Sequence, residues 1–358
     1  MKEFIPAELP VKLELTPSIY KALNLASRKL GELNGFIKTI PNQNILINSL
    51  VLQEAKDSSE IENIITTHDE LFSAQIDEEK ITQNAKEVLR YEIALKKGYS
   101  LIKKDKLLLN RHILEIQKQL EQNNAGFRTQ SGTMLKNPTT GEIKHIPPQN
   151  IENINRLMAN LEKYINDDLD DFDPLIRLAL IHYQFETIHP FYDGNGRTGR
   201  IINVLYLVYK EILDLPILYL SAYIIKNKTE YYKLLQSVSE RSAWNDWIEY
   251  ILKGIEQTAI ASVDMIKSID QAMREFGNLL QEKEPKIYSK DFLELLFSYP
   301  YTKIESLEKN LQISRQTASK YLKISQDLGL SKCVKLGRNS YFINISLYEI
   351  LRKGLILK

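Results

Sequence analysis

The chain has 358 residues, 43% of them hydrophobic and 26% charged, with 47 Lys and Arg nearly balanced by 46 Asp and Glu. That composition is ordinary for a globular protein with sizeable cores, and the length predicts two or three domains. A single cysteine, Cys333, excludes internal disulfides and suits a reducing cytoplasm, and no apolar run is long enough to span a bilayer.

Along the chain, Phe4 to Pro10 reads as an extended arm, and Met1 to Pro6 lacks the apolar core of a signal peptide. Helices are predicted at about Pro17–Asn34, Asn44–Lys56, Glu60–Phe72, Gln83–Lys103 and Leu107–Gln122 from apolar periodicity and capping signals. From Gly126 to Pro148 two short stretches flank Asn137-Pro138-Thr139-Thr140-Gly141 and predict a β-hairpin in an otherwise helical region. Helices follow at Ile151–Asn166 and Pro174–Thr187, then from about Asn195, at Thr229–Glu240, and over a long amphipathic stretch from Ala243 to Glu282.

The pattern changes after Glu282-Lys283-Glu284-Pro285. Helices at Asp291–Ser298, Ile304–Leu311 and Ser314–Leu328, then strands at Lys332–Leu336 and Ser340–Asn344, resemble a winged helix-turn-helix. Residues 285–358 carry 13 Lys and Arg against 6 Asp and Glu, while the remainder carries 34 against 40, so the near-neutral total conceals a basic module. In a winged helix the third helix, with Arg315, Gln316, Thr317, Ser319 and Lys320 on its early turns, would enter a DNA major groove, with Arg338 in the wing. Winged helices also serve as protein-docking or dimer modules, so both readings stay open.

The densest chemistry lies at residues 189–200, His-Pro-Phe-Tyr-Asp-Gly-Asn-Gly-Arg-Thr-Gly-Arg. Gly194-Asn195-Gly196 can bring bare backbone N–H groups to an anion, because neither glycine has a Cβ to hold the ligand away. The turn opens a helix, so the dipole adds to the attraction for phosphate. Arg197 and Arg200, three apart, share one face and can clamp a polyphosphate; Asp193 suits a magnesium ion bridging phosphate oxygens; His189 can accept a proton. Together these groups describe nucleotidyl or phosphoryl transfer from magnesium-bound nucleotide to a hydroxyl. His182 sits on an apolar helix as a core residue, and neither it nor His68, His112 or His145 has metal-ligand spacing.

This stretch resembles the Fic signature H-x-F-x-[DE]-G-N-G-R-x-x-R, matched by His189, Phe191, Asp193, Gly194, Asn195, Gly196, Arg197 and Arg200. The resemblance implies a mainly α protein: a Fic helical core with a short β-hairpin flap. It implies transfer of AMP from ATP to a tyrosine, serine or threonine of a target protein. His189 would be the base, Asp193 the Mg2+ ligand and Phe191 the core anchor of the loop. The nucleotide would be held along Gly194, Asn195, Gly196, Arg197, Thr198, Gly199 and Arg200. A sister group of kinases has lysine at the position of Gly196, so the glycine favours AMP over phosphate.

The resemblance extends to the flap, where Thr133, Met134 and Leu135 would line the active site and hold the target by strand addition. Tyr231 and Tyr232 match a pair beside the adenosine, although adjacent helical residues point about 100° apart and cannot both face one core. Ser58, Glu62 and Asn63 match the inhibitory-helix pattern [ST]-x-x-x-E-[GN], which implies that Glu62 pairs with Arg200 and competes with the γ-phosphate. The expected organisation is residues 1–105 with the inhibitory helix at about 58–72, residues 106–280 as catalytic core, and residues 285–358 as winged helix. A cytoplasmic homodimer without membrane contact is expected. Two alternatives stay open: a Fic-fold enzyme that removes AMP, and a DNA-binding regulator whose Fic region senses nucleotide.

Overall fold

A computed structural model describes residues 2–71, 81–136, 140–336 and 339–357. It is mainly helical, with two small antiparallel sheets among the described residues. The N-terminal arm is extended and tied down by its main chain: Phe4 N donates to the Ile146 carbonyl, Leu9 exchanges two bonds with the Asn160 side chain, and Gln184 donates to the Ala7 carbonyl.

α1 (Pro17–Ile37) starts with proline at its first turn, where a missing N–H costs nothing. α2 (Asn44–Ile61) lengthens the expected helix Asn44–Lys56 and takes over the start of the expected Glu60–Phe72, of which residues 68–71 form a separate helical stretch. It runs unbroken through Ser58, which is interior, and ends where an inhibitory helix was expected to begin. The reason lies at Asn63, whose φ of 62° is left-handed. Ile64 N bonds the Ser59 carbonyl and Asn63 N the Glu60 carbonyl, the paired closure that terminates helices at such a residue. Phe72 lies outside the described residues.

α3 (Gln83–Asp105) and α4 (Asn110–Glu121) form an antiparallel pair. β1 (Leu135–Lys136) and β2 (Ile143–His145) make the expected hairpin, whose Asn137, Pro138 and Thr139 lie outside the described residues. α5 (Ile151–Asn166) and α6 (Pro174–Ile188) are capped by Asn150 and Asp173, and α7 (Asn195–Tyr209) packs on α6. α6 and α7 bury residues on almost every face, as helices at the centre of a bundle do. α8 (Leu220–Lys226) was not expected from the sequence; it is a short apolar run without a helical period long enough to recognise. α9 (Lys228–Arg241) follows, and α10 (Trp244–Lys283) lies against α1.

The C-terminal module has α11 (Lys290–Ser298), β3 (Tyr301–Lys303), α12 (Ile304–Leu311), α13 (Arg315–Asp327), β4 (Ser331–Leu336), β5 (Asn339–Asn344) and α14 (Ile345–Lys353). Its sheet order is β3-β5-β4, so β3, absent from the sequence reading, closes one edge. Phe342 pairs with Thr302 on one side and Cys333 on the other. α11 and α14 pack against α2, so the basic module rests on the helix that ends at Glu62.

Beneath the centre, Trp247 is fully buried, donates Nε1–H to the Ala179 carbonyl at 2.8 Å and stacks on His182. His182 in turn meets the Tyr231 hydroxyl. Trp247→Ala is expected to lower stability by about 3–5 kcal/mol in urea unfolding, the range for deleting a buried large aromatic; a loss under about 1 kcal/mol would mean that the core refills the space.

Candidate active site

The site begins where α6 stops. His189 takes a left-handed φ of 49° at the helix end, which turns the chain away and leaves its imidazole beside the start of α7. Phe191 is buried between Phe127 and Phe185 and pins the loop into the core. The Asn195 amide accepts from Phe191 N at 2.8 Å and donates to the Phe191 carbonyl at 2.9 Å. Its side chain thereby shapes the loop. Gly194, at φ 76°, makes the bend before α7.

Arg128 is the second support. It is fully buried and donates to the carbonyls of His189, Ile188 and Pro148, while its own N–H bonds the Pro190 carbonyl. The flap is tied in by His145, paired with the Thr187 carbonyl at 3.0 Å, and by Tyr192, whose hydroxyl accepts from Thr129 N and Gln130 N. Thr133 and Leu135 are half-buried and Met134 is exposed on this edge.

Both arginines are occupied. Arg200, 2% exposed, donates Nε–H to Ser58 Oγ at 2.7 Å and Nη2–H to the Ser58 carbonyl at 2.9 Å and to Glu62 Oε1 at 2.8 Å. A Cβ on Gly196 would collide with the Glu62 carboxylate, which therefore lies directly on the bare backbone at the start of α7. Arg197 is also buried, but its partners are Glu121 at 2.8 Å and Glu87 at 3.3 Å, two carboxylates the sequence reading did not single out. No local motif marks them, because α3 and α4 bring them in from 110 and 76 residues away.

Burial alone would raise the Glu62 carboxyl, but the Arg200 guanidinium outweighs it and holds Glu62 below the usual carboxylate range. Burial, with the positive charges of Arg128 and His145, pushes His189 down to about 4 against the opposite pull of Glu62. The imidazole is thus neutral, and a potential base, across the physiological range. Burial likewise pushes Glu186 up to about 7 and Glu54 up to about 8, so these two carboxyls near Arg200 compete with Glu62 less than their positions suggest.

Other expected site residues divide by helical phase. Thr198 is fully buried and Gly199 packs closely on Phe185 and Glu186. Tyr231, 1% exposed, gives its hydroxyl to the pair with His182 and belongs to the core, whereas Tyr232, 47% exposed, feels the charge of Glu62 from the site side. Asn63 ends α2 and accepts from Lys228 at 3.2 Å. The Asp193 carboxylate is exposed, accepting from Gly194 N, and Glu121 lies near enough to feel its charge. Among the described residues no cluster of three or more His, Cys, Asp or Glu could hold a metal by itself. A magnesium ion that keeps waters and phosphate oxygens needs only one or two carboxylates, so Asp193 fits such an ion. On α13, Arg315, Gln316 and Lys320 are exposed while Thr317 and Ser319 are half-buried; Arg338 lies outside the described residues.

Comparison with known proteins agrees with this geometry. Sequence models of the Fic/DOC family N-terminal region and of the Fic/DOC family match residues 20–100 and 107–207. The chain belongs to the Fic/DOC family. A third model, for the C-terminal domain of SoFic-like protein adenylyltransferases, matches residues 272–347. Among curated relatives, the protein adenylyltransferase fic-1 of Caenorhabditis briggsae is 26% identical over 137 residues, which is 37% of this chain and 24% of that protein. A probable protein adenylyltransferase of Aquifex aeolicus is 28% identical over 202 residues, 54% of this chain and 57% of that protein. The Fic protein described here thus spans less than two thirds of the length of these relatives. A Fic family protein from Desulfovibrio desulfuricans shares the fold with a TM-score of 0.59 at 18% identity, over 92% of this chain and 97% of that one. A Fic domain containing signaling protein from Bacteroides thetaiotaomicron does so with a TM-score of 0.53 at 16% identity, over 69% and 97%. No helix among the described residues is long and apolar enough to cross a membrane.

The His189 environment is directly measurable. Its imidazole NMR signals should stay at their neutral values through the ordinary histidine range and shift only as pH approaches about 4; a midpoint near the unperturbed value would show that the positive neighbours and burial do not act on it.

Proposed function

We propose that this protein is an autoinhibited protein adenylyltransferase that uses ATP with Mg2+. The observation that carries the reading is the Glu62 carboxylate, seated on Arg200 and on the bare backbone at Gly196, where a phosphate of the nucleotide would sit. A carboxylate in that place marks an anion site, and the turn, the helix dipole and two buried guanidiniums make it a site for polyphosphate.

In the transfer, the target hydroxyl oxygen attacks the α-phosphorus of ATP, the bond to the α–β bridging oxygen breaks, and pyrophosphate leaves. Neutral His189 takes the hydroxyl proton. Arg197 and Arg200, once freed of Glu121, Glu87 and Glu62, stabilise charge on the departing pyrophosphate. Asp193 would hold the magnesium ion, which when bound neutralises phosphate charge. The exposed edge at Thr133, Met134 and Leu135 would take the target segment as an added strand, so main chain more than side chain is read there. Tyr232 is the better placed of the two tyrosines to face the base.

Incubation with ATP labelled separately at the α and γ phosphates tests this. Glu62→Gly should transfer α-label at least about tenfold faster than wild type, since removing the competing ion pair frees Arg200, and His189→Ala should transfer none. γ-Label on protein would mean kinase chemistry. No label, with AMP released from a modified protein, would mean that Glu62 serves removal of AMP.

A second reading concerns the C-terminal module, whose helices α11, α12 and α13 with the β3-β5-β4 sheet suit a winged helix with Arg315, Gln316 and Lys320 exposed along α13. Contact with DNA through this helix would be salt-dependent. Arg315→Ala with Lys320→Ala should weaken binding to duplex DNA and flatten its salt dependence in fluorescence anisotropy; no binding by wild type at low salt would assign the module to protein docking.

A further inference from the structure

The turn at the start of α7 meets two carboxylates. Glu62 lies nearest the bare face of Gly196, and Glu121 lies nearest that of Gly194, where a Cβ would come within 2.5 Å of Glu121 Oε1. Each carboxylate also holds one arginine of the clamp at 2.8 Å, Glu62 on Arg200 and Glu121 on Arg197. The two are delivered alike. Glu121 ends α4 immediately before Gln122, whose φ of 54° is left-handed, just as Glu62 follows α2 immediately before Asn63 at 62°. A carboxylate at a helix C-terminus sits at the negative end of its own dipole, so neither placement is favoured by the helix that carries it. What holds both is the opposite pole, the N–H end of α7 with its guanidiniums.

Neutralising Arg197 does not by itself require Glu121. Glu87 reaches the same guanidinium at 3.3 Å from the first turns of α3, and it is not among the atoms nearest either glycine of the turn. Two carboxylates on one guanidinium leave an excess of negative charge, to which Asp193 adds. Arg197 is nonetheless held less completely than Arg200: its Nε is buried with no acceptor, whereas Arg200 bonds through both Nε and Nη2. Burial pushes the Glu121 carboxyl up, and Asp193 and Glu87 add to that against the pull of Arg197, while Glu62 is held down by Arg200. Glu121 is thus the more readily displaced of the two carboxylates, in a place where displacement is what an entering phosphate must achieve.

We propose that Glu121 is a second inhibitory carboxylate, occupying the Arg197 side of the polyphosphate site as Glu62 occupies the Arg200 side. The inference rests on the reading of this turn as the polyphosphate site. Both carboxylates must leave before the two arginines grip ATP together, so loss of Glu62 relieves one side only. A chain without the Glu62 carboxylate still binds nucleotide below the capacity of its clamp.

Calorimetric titration of the full chain with magnesium and the α,β-methylene analogue of ATP, which cannot transfer AMP, tests this. Glu121→Gln keeps the shape of the side chain and removes its charge. It should tighten binding about threefold or more, both in the wild-type chain and on top of Glu62→Gly, as removal of a competing charge-assisted pair does. Glu87→Gln removes the same charge away from the glycines and should have a smaller effect. Unaltered melting curves would show that the variants fold. Unchanged or weaker binding by Glu121→Gln would make Glu121 a residue that orients Arg197 for the nucleotide, and an equal gain from Glu87→Gln would assign the effect to net charge; either result overturns the proposal. A gain from Glu121→Gln but none from Glu62→Gly would discard the Glu62 restraint and keep this one, and a gain from Glu62→Gly alone would do the reverse. No binding by the folded double variant would discard both.

Discussion

A guanidinium buried at the start of α7 must have an anion, and that requirement organises the protein. Arg200 is almost wholly removed from water, and a buried cation without a partner costs several kcal/mol even after the surroundings relax. Among the described residues, the Arg200 side chain bonds the last turns of α2: the Ser58 hydroxyl, the Ser58 carbonyl and the Glu62 carboxylate. The two partners therefore fix one another. α2 stops where it does so that Glu62 reaches the clamp, and the clamp keeps its charge paired because α2 stops there. Any nucleotide that enters must replace Glu62 with phosphate oxygens. The arginine is then never left alone, and exchanging one anion for another costs far less than creating an unpaired charge.

Arg197 follows the same rule with different partners. Glu121 and Glu87 neutralise it from α4 and α3, so the two arginines are held from two sides of the molecule. Removing Glu62 alone would thus free half of the clamp. The other half opens when phosphate outcompetes Glu121, whose carboxyl is pushed up by burial and by the nearby charge of Asp193. A cation beside Asp193 would remove that second influence and strengthen the hold of Glu121 as a carboxylate. The charge balance around Arg197 therefore depends on everything bound at the turn.

Much of this was legible in the sequence where the signal was local. The loop and helix start at residues 189–200 could be read because backbone approach, helix dipole and arginine spacing are properties of consecutive residues. Long helices such as α5 and α10 could be read from their period. The end of α2 could not, because Ser58 in mid-helix looks like a cap and only the left-handed Asn63 reveals where the helix closes. Phase buries Tyr231 and exposes Tyr232, and which neighbour turns inward depends on the packing of α6, α9 and α10. Arg128, Glu87 and Glu121 were beyond sequence reading for a plain reason: their roles arise from contacts across dozens of residues, with no spacing to announce them.

α2 is held at its end by Arg200 and along its flank by α11 and α14 of the C-terminal module, with Tyr348 of α14 also bonding Asp69 just beyond it. Movement of the whole helix would therefore break an apolar interface as well as an ion pair. The last turn is different. It ends at a left-handed residue with Glu62 still half-exposed, and helix termini open at far lower cost than helix interiors. If Glu62 restrains the enzyme as proposed, its release needs only residues 59–63 to unwind, while Ser58 remains bonded to Arg200. The C-terminal module would then set how easily that turn opens by fixing the helix from which it frays. A partner or ligand acting on the module has a short physical route to the active site, through one helix and its final turn.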